Sequence, residues 1–367
     1  MKINPKQLLN QFTPKKIVGP IIIGVGVALF LLFRNFDVQA FKSISWTQES
    51  SLWIFLAIVM VVLRDFGYMY RIRVLTDNHL TWRKSFDVIM LWEFASSITP
   101  SIIGGTAFAF FLLIREKISA GKSTAIVLVT AFLDELFFIL LTPIFFFLLG
   151  PNVIFPSLKA TGLDEALGGN NMVMAFTAGY IILLVYTLFL LYGLFLNPKG
   201  LKWIIVKVSN IRFLRKWKEN AENLGDEIVV AGHELKSRST IFWTKTFGAT
   251  VLSWTARYFV VNCIIMAFGS QGFGEHLIIY GRQLVMWIIM LIPITPGGSG
   301  IAEIVFPAFI GDYIPTGLAA SLALLWRLLS YYPYLFIGAV LLPRWVRRVY
   351  TKKEMEADNI SDEEMLK

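Results

Sequence analysis

The stretch Ile98-Thr99-Pro100-Ser101-Ile102-Ile103-Gly104-Gly105 sets helix breakers in the middle of an apolar run. Proline lacks a backbone donor, and a glycine pair weakens a helix. A shorter echo, Ile294-Thr295-Pro296-Gly297-Gly298-Ser299-Gly300, lies far downstream in a second apolar run. In hydrocarbon, broken backbone is tolerated only where protein buries it or where it lines a cavity. Two such breaks at matching places in two halves of a chain point to a binding site within a membrane. Thr99, Pro100, Gly104, Gly105, Thr295, Pro296, Gly297, Gly298, Ser299 and Gly300 are therefore candidate substrate-binding residues. The plainer alternative is a pair of kinked transmembrane helices, in which Gly and Pro are common.

Around these breaks the composition is that of an integral membrane protein. Of 367 residues, 56% are hydrophobic, 15% aromatic and only 16% charged, against about 25% charged in soluble domains. The net charge of +9 comes from bases placed between apolar spans, which suits anionic lipid surfaces and not nucleic acid. Cys263 is the sole cysteine, so neither an intrachain disulfide nor a cysteine metal site is available. His79, His233 and His276 are scattered. No metal or other cofactor is expected.

Full-length apolar spans are expected at 17–33, 51–75, 123–149, 172–196, 241–268 and 318–342, each near or above the ~17 residues a helix needs to cross. Lys2, Lys6, Lys15 and Lys16 precede the first. Arg34-Asn35-Phe36-Asp37 follows it without a small-residue cleavage pattern, which marks an uncleaved span and not a signal peptide. The two broken stretches, 86–114 and 280–310, have arms at 86–98, 106–114, 282–294 and 301–310. None of these reaches the ~20 residues of a typical crossing.

Loop charge decides between a bent crossing and a re-entrant hairpin, because cytoplasmic loops gather Lys and Arg. The N-terminus is basic. So are the loop after the second span (Arg71, Arg73, Arg83, Lys84), the segment after the first break (Arg115, Lys117, Lys122) and the long segment 197–240. The C-terminal tail opens with Arg344, Arg347 and Arg348. The segment 150–171 has Lys159 as its only base. Hairpins at both breaks put every basic segment inside; single crossings would put 197–240 outside. Each half then reads span, span, hairpin, span, with opposite orientation, which is an inverted-topology repeat whose hairpin tips meet near the midplane.

The expected fold is thus all-α and polytopic, with six full spans and two re-entrant helical hairpins. A single transmembrane domain covers 1–350, with halves at 17–149 and 172–342, and both termini lie on the cytoplasmic side of the cell membrane. A basic amphipathic segment at 201–230, carrying Trp203, Ile204, Val208, Ile211, Leu214 and Trp217 among lysines and arginines, is expected to lie on the inner membrane surface. It also offers a docking face for a protein partner. The charged tail 351–367 is expected to be disordered.

Ionisable residues inside spans are costly and mark functional sites by default. They are Arg64, Asp65, Glu93, Asp134, Glu135, Arg257, Glu303 and Arg327, with Asp87, Lys245 and Arg282 near segment ends, where the two bases would snorkel. Arg64, Arg257 and Arg327 are candidate binders of a phosphate. Glu303 is a candidate for either binding or proton coupling, and Glu93, Asp134 and Glu135 for coupling. The competing reading is structural ion pairing of opposite charges within the bundle.

Trp92-Glu93-Phe94, Ile98-Thr99-Pro100, Gly104-Gly105, Leu112-Leu113-Ile114-Arg115-Glu116 and Pro293…Pro296-Gly297-Gly298-Ser299-Gly300-Ile301-Ala302-Glu303 together resemble the lysylphosphatidylglycerol synthase transmembrane-region family. This is the flippase-like membrane domain of bacterial aminoacyl-phospholipid synthases, and it also occurs alone in bacteria and archaea. The resemblance covers nearly the whole chain, and the Pro-Gly-Gly-x-Gly-x-x-Glu run is its most specific part. Many relatives carry an acidic residue just after the first glycine pair and a nearby arginine, where this chain has Thr106 and Ala107-Phe108-Ala109. The soluble aminoacyl-transferase domain of full-length synthases is expected to be absent, since only a short tail follows the last span.

The resemblance implies translocation of a phospholipid or lipid-linked substrate, with anionic phospholipid the expected partner and no catalysis. An intramembrane lipid-modifying enzyme and a non-transporting regulatory or scaffold protein are the alternatives. Association with a protein partner or a second copy of the chain stays open.

Overall fold

The computed structural model describes Lys42 and residues 46–99, 101–156, 170–210, 218–291, 301–315 and 317–349, and among these there is no strand. The helices are α1 Gln48–Leu75, α2 Trp82–Ile98, α3 Ser101–Arg115, α4 Ala120–Leu149, α5 Asn170–Leu191, α6 Pro198–Ser209, α7 Lys218–Lys236, α8 Thr240–Phe268, α9 Phe273–Met290, α10 Ile301–Ile310, α11 Ala319–Ser330 and α12 Tyr332–Val349. Their starts follow from capping chemistry. Thr47, Thr81, Ser119 and Ser239 each accept a hydrogen bond from the first turn of α1, α2, α4 and α8, satisfying a donor that the helix cannot. Gly150, at φ 79°, and Pro151 stop α4.

Among the described residues, five helices are long and apolar enough to cross a membrane: Gln48–Leu75, Ala120–Leu149, Met172–Leu196, Thr240–Phe268 and Ala319–Val349. The chain is a polytopic membrane protein, and these five coincide with five of the expected spans. The expected span 17–33, the second break at Thr295–Gly300 and the tail 351–367 lie outside the described residues.

The last span departs from expectation. It is broken at Tyr331, between α11 and α12. Pro333, the second residue of α12, removes one backbone donor and clashes with the turn before it. The amphipathic stretch departs as well. It forms two helices, α6 and α7, packed on each other, and Ile228, Ala231 and Leu235 of α7 are buried in the bundle. Trp203, Ile204 and Val208 of α6 remain exposed. Ile211, Leu214 and Trp217 lie outside the described residues.

The most extensive packing is antiparallel, between α1 and α8. Trp46 meets Phe268 at one end, and Arg71 bonds Thr250 toward the other. Gly67 admits the close approach, since a Cβ there would lie 2.3 Å from the Ser253 hydroxyl. Thr246, Thr250 and Ser253 form the matching fully buried face of α8. Small residues bringing backbones together is how helices associate where lipid removes the hydrophobic drive. In the expected repeat, α1 and α8 are the corresponding spans of the two halves.

At the first break, α2 and α3 fold back on one another. Lys84, in the first turn of α2, pairs with Glu116, just beyond α3, at 3.2 Å. At the closed end, a Cβ on Gly105 would lie 3.2 Å from the Ser96 Cα. The helices on either side of the second break, α9 and α10, also lie against each other: Gln271 Nε2 donates to the Tyr313 carbonyl at 3.0 Å, and Arg282 Nη1 donates to the Phe309 carbonyl at 3.0 Å. The two open ends lie at opposite ends of the bundle. Lys84 and Glu116 share theirs with the start of α4, where Lys122 pairs with Asp77. Arg282 donates to the carbonyl of Val153, just past the other end of α4.

Two of the expected roles for bases need correction. Arg71 is no loop base: it is buried within α1 at 5% exposure, because it faces the α4 carboxylate of Asp134. Arg282 is not a free base at its segment end; it is buried and paired with Asp312.

Candidate functional site

Two apolar cores fill the bundle, and both touch Val61 and Phe247. Between them, halfway along α1, α4 and α8, lies a polar cluster. Its centre is Arg64, which is 2% exposed. Arg64 Nη1 donates to the Tyr334 hydroxyl at 2.7 Å, and that hydroxyl donates to the Asp65 carboxylate at 2.9 Å. Arg64 Nη2 is ion-paired with Glu93 of α2. The rings of Tyr68 and Tyr334 lie against its guanidinium at 5.3 and 4.8 Å.

Arg257 of α8 approaches the same Glu93 at 3.7 Å. The corresponding arginines of the two halves, Arg64 and Arg257, thus converge on one carboxylate from the first fold-back. Their situations differ. Arg64 is sealed, whereas Arg257 is 23% exposed and donates no hydrogen bond among the described residues. Its guanidinium lies beside the Trp254–Trp287 pair, 4.8 and 5.6 Å from the two ring centroids, which meet each other edge to face at 5.0 Å. A planar guanidinium resting against indole rings, with its donors unspent, is suited to a phosphate or carboxylate oxygen.

Toward the Lys84–Glu116 end, Arg71 and Asp134 make a second pair at 2.5 Å, joined to the first cluster by Trp254, whose Nε1 donates to Asp134 Oδ1 at 2.9 Å. Three arginines (64, 71, 257) thus face three carboxylates (65, 93, 134). This balance removes the cost of an isolated charge in a low-dielectric interior. Glu135 stands apart. Its neighbour's carboxylate is committed to Arg71, but its own Oε2 is buried without a hydrogen-bond partner.

Other expected site residues take different places. The Thr99 hydroxyl turns back to the Ala95 carbonyl at 2.6 Å and closes α2. Gly105 serves the close packing on Ser96. Arg327 lies against the Tyr331 ring, 3.8 Å from its centroid, and the Tyr331 hydroxyl donates to the Ser97 carbonyl at 2.9 Å. That ties the last span to the closed end of the α2–α3 pair. Pro100, Thr295, Pro296, Gly297, Gly298, Ser299 and Gly300 lie outside the described residues, as do the surroundings of Gly104 and the side chain of Glu303. Among the described residues no group of three metal-ligating side chains converges.

Sequence reasoning missed Arg71, Tyr68, Tyr334, Trp254 and Trp287 as parts of the cluster. Arg71 was findable, because seven residues from Arg64 is two helical turns on one face. The aromatic partners were not, since Tyr334 meets Arg64 across 270 residues of chain.

Comparison with known proteins agrees with the resemblance read from the motifs. Residues 16–338 match the family described as lysylphosphatidylglycerol synthase TM region, and the chain belongs to that family. It is also similar to a UPF0104 membrane protein of Archaeoglobus fulgidus, with 27% identity over 299 residues, covering 78% of this chain and 85% of the relative. No solved structure matches.

Proposed function

We propose that the protein moves a phospholipid or lipid-linked substrate across the bilayer, as a transporter and not as an enzyme. The carrying observation is Arg257, a cation with unspent donors, partly exposed at mid-bundle depth beside two indoles. In this reading the headgroup phosphate takes oxygen-to-guanidinium hydrogen bonds there while the acyl chains stay in lipid. Binding competes with the weak Arg257–Glu93 contact, so occupancy is felt directly by the α2–α3 arm. Anionic phospholipid is the partner this chemistry favours.

The fold-backs are the re-entrant hairpins of an inverted repeat, entering from opposite faces, and a sixth span at 17–33 completes it. The end carrying Lys84, Lys117 and Lys122 faces the cytoplasm, following the bias of loop bases. With the cell membrane as its site, both termini are cytoplasmic. The Arg64, Asp65 and Tyr334 unit is the fixed frame against which Arg257 and Glu93 separate. Among the four acids named for proton coupling, Glu135 is our choice, because Glu93 and Asp134 are already held by arginines.

The test uses the full chain in phosphatidylcholine vesicles containing fluorescent phosphatidylglycerol. Exposure of the label to a membrane-impermeant quencher is followed in time. The parent should equilibrate label across the bilayer faster than empty vesicles, and Arg257→Gln should fold but lose most of that gain. A parent no faster than empty vesicles would overturn the proposal.

A further inference from the structure

Far from the midplane cluster, at the opposite end of the bundle from Lys84 and Glu116, a cavity of about 490 Å³ lies where the end of α4 and the start of α5 meet the open end of the α9–α10 pair. That size is within the ~300–1,000 Å³ range of small-molecule sites.

Its lining has two kinds of surface. Phe146, Phe155 and Phe176 form a packed aromatic wall, with ring centroids 5.3 to 5.8 Å apart. Arg282 and Asp312 form a charged wall, paired at 2.7 Å. Arg282 is 6% exposed and fixed by its Nε and Nη1 bonds to the Val153 and Phe309 carbonyls. Its Nη2 makes no hydrogen bond among the described residues, and the side chain lines the cavity. This guanidinium is therefore immobilised with one nitrogen left unspent at the cavity wall. A fixed, partly spent guanidinium beside an aromatic wall offers one anchor for a phosphate and one for an acyl chain.

The surroundings select the occupant. Val173 lines the cavity at 45% exposure, and beside it Met174, Phe147 and Leu148 are exposed at 66, 91 and 69%. Large apolar side chains at that exposure, on helices long enough to span, face hydrocarbon and not water. The cavity therefore opens beside the lipid-facing surface, near the ends of α4 and α5, which is the depth of a phospholipid headgroup.

We infer that this cavity binds one phospholipid of the leaflet opposite the Lys84–Glu116 end, with its phosphate on Arg282 and one acyl chain along Phe146, Phe155 and Phe176. The inference concerns binding and holds whether or not the protein moves lipid.

The experiment uses the full chain in phosphatidylcholine vesicles that carry a phosphatidylglycerol with a photoreactive group in its acyl chain. After illumination, adducts are mapped by peptide mass spectrometry. Adducts should concentrate on residues 146–155 and 173–177. Unlabelled phosphatidylglycerol should compete them away, while inorganic phosphate alone and a free fatty acid alone should not. Val173→Trp, which puts an indole into the mouth without touching the ion pair, should cut labelling there at least several-fold. Arg282→Lys keeps the charge but loses the fork, and it should reduce labelling with the fold intact. If Arg282→Lys fails to fold, Thr177→Trp provides the second blocking variant. Adducts spread evenly over the lipid-facing helices, or unchanged in Val173→Trp, would overturn the inference. So would full competition by fatty acid alone, which would show an acyl groove without phosphate recognition. A parent that labels here yet moves no lipid would refute the transport proposal and leave this site standing.

Discussion

Arg71 and Asp134 form a two-pronged ion pair between α1 and α4, with Nη1 to Oδ1 at 2.5 Å and Nη2 to Oδ2 at 3.2 Å. Each partner is spent further: Arg71 Nη1 also donates to Thr250, and Asp134 Oδ1 also accepts from Trp254. The pair thus ties α1, α4 and α8 at one point. Beside it on the chain, Glu135 has a buried oxygen with no partner.

The adjacent acids should therefore respond in opposite ways. Asp134→Asn leaves Arg71 as an uncompensated buried charge and should cost about 3–5 kcal/mol. Glu135→Gln replaces a buried carboxyl that pairs with no cation by an amide of the same size, so it should be neutral or stabilising. Thermal unfolding of the two variants in the same detergent checks this. Equal losses in melting temperature would contradict the assignment of Arg71 to Asp134 alone.

A pH-dependent contact sits at the Lys84–Glu116 end of the bundle. Burial by itself would raise the pKa of Asp77, but hydrogen bonds and charge from Lys122 and Arg238 outweigh it and hold the pKa below its ordinary 3.8. A carboxylate with a lowered folded-state pKa contributes stability that is complete above the unfolded value. That contribution is lost as pH falls through the folded value. Asp77→Asn keeps the positive φ of 53°, which Asn tolerates, and removes only the charge. The variant should melt below the parent by a constant margin at neutral pH, and the margin should close below about pH 4. Because Asp77 is partly exposed, the margin should be at most about 1 kcal/mol and should shrink in high salt. A margin that widens on acidification would contradict the assignment.

What the sequence made legible and what it concealed have separate physical causes. The spans at 51–75, 123–149, 172–196 and 241–268 were readable because length and apolarity alone decide a crossing. The break between α2 and α3 was readable from Pro100 and the Gly104-Gly105 pair, and Lys84 beside Glu116 brings the outer ends of the two helices together. Arg71 was misread because loop counting by position ignores that an arginine near a helix end can face inward. The break at Tyr331 was signalled by Pro333 but hidden in a run long enough to pass as one helix. Tyr334, Trp254 and Trp287 carry no local mark at all. Only packing brings them to Arg64 and Arg257.

Sidedness is open to direct test. Lys122 is within 3.5 Å of Glu234 in α7, so Lys117 and Lys236 should lie on the same side of the membrane. Single cysteines at these positions in a Cys263→Ser background should react with an impermeant maleimide from the same face, and that face should be cytoplasmic. Labelling of the two from opposite faces would rule out the fold-back of α2 and α3 as a re-entrant hairpin.

The last prediction links packing to the site. Gly338 of α12 lies against Phe94 of α2 so closely that a Cβ would fall 2.2 Å from the Phe94 Cγ and 2.3 Å from its Cβ. Phe94 is fully buried, so its ring base cannot swing away and the backbone of α2 must shift instead. Glu93 precedes it and would move with it, loosening the contacts to Arg64 and Arg257. Gly338→Ala should therefore cost about 1–3 kcal/mol through overpacking and also reduce lipid movement in vesicles. Trimming the obstacle distinguishes the two effects. Phe94→Gly in the Gly338→Ala background removes both the Cβ and the Cγ that the methyl group would meet and lets α2 return, so both stability and transport should recover toward those of Phe94→Gly alone. If stability recovers while transport does not, Glu93 is not positioned through this contact. If neither recovers, α12 and α2 do not pack at Gly338 in the working protein.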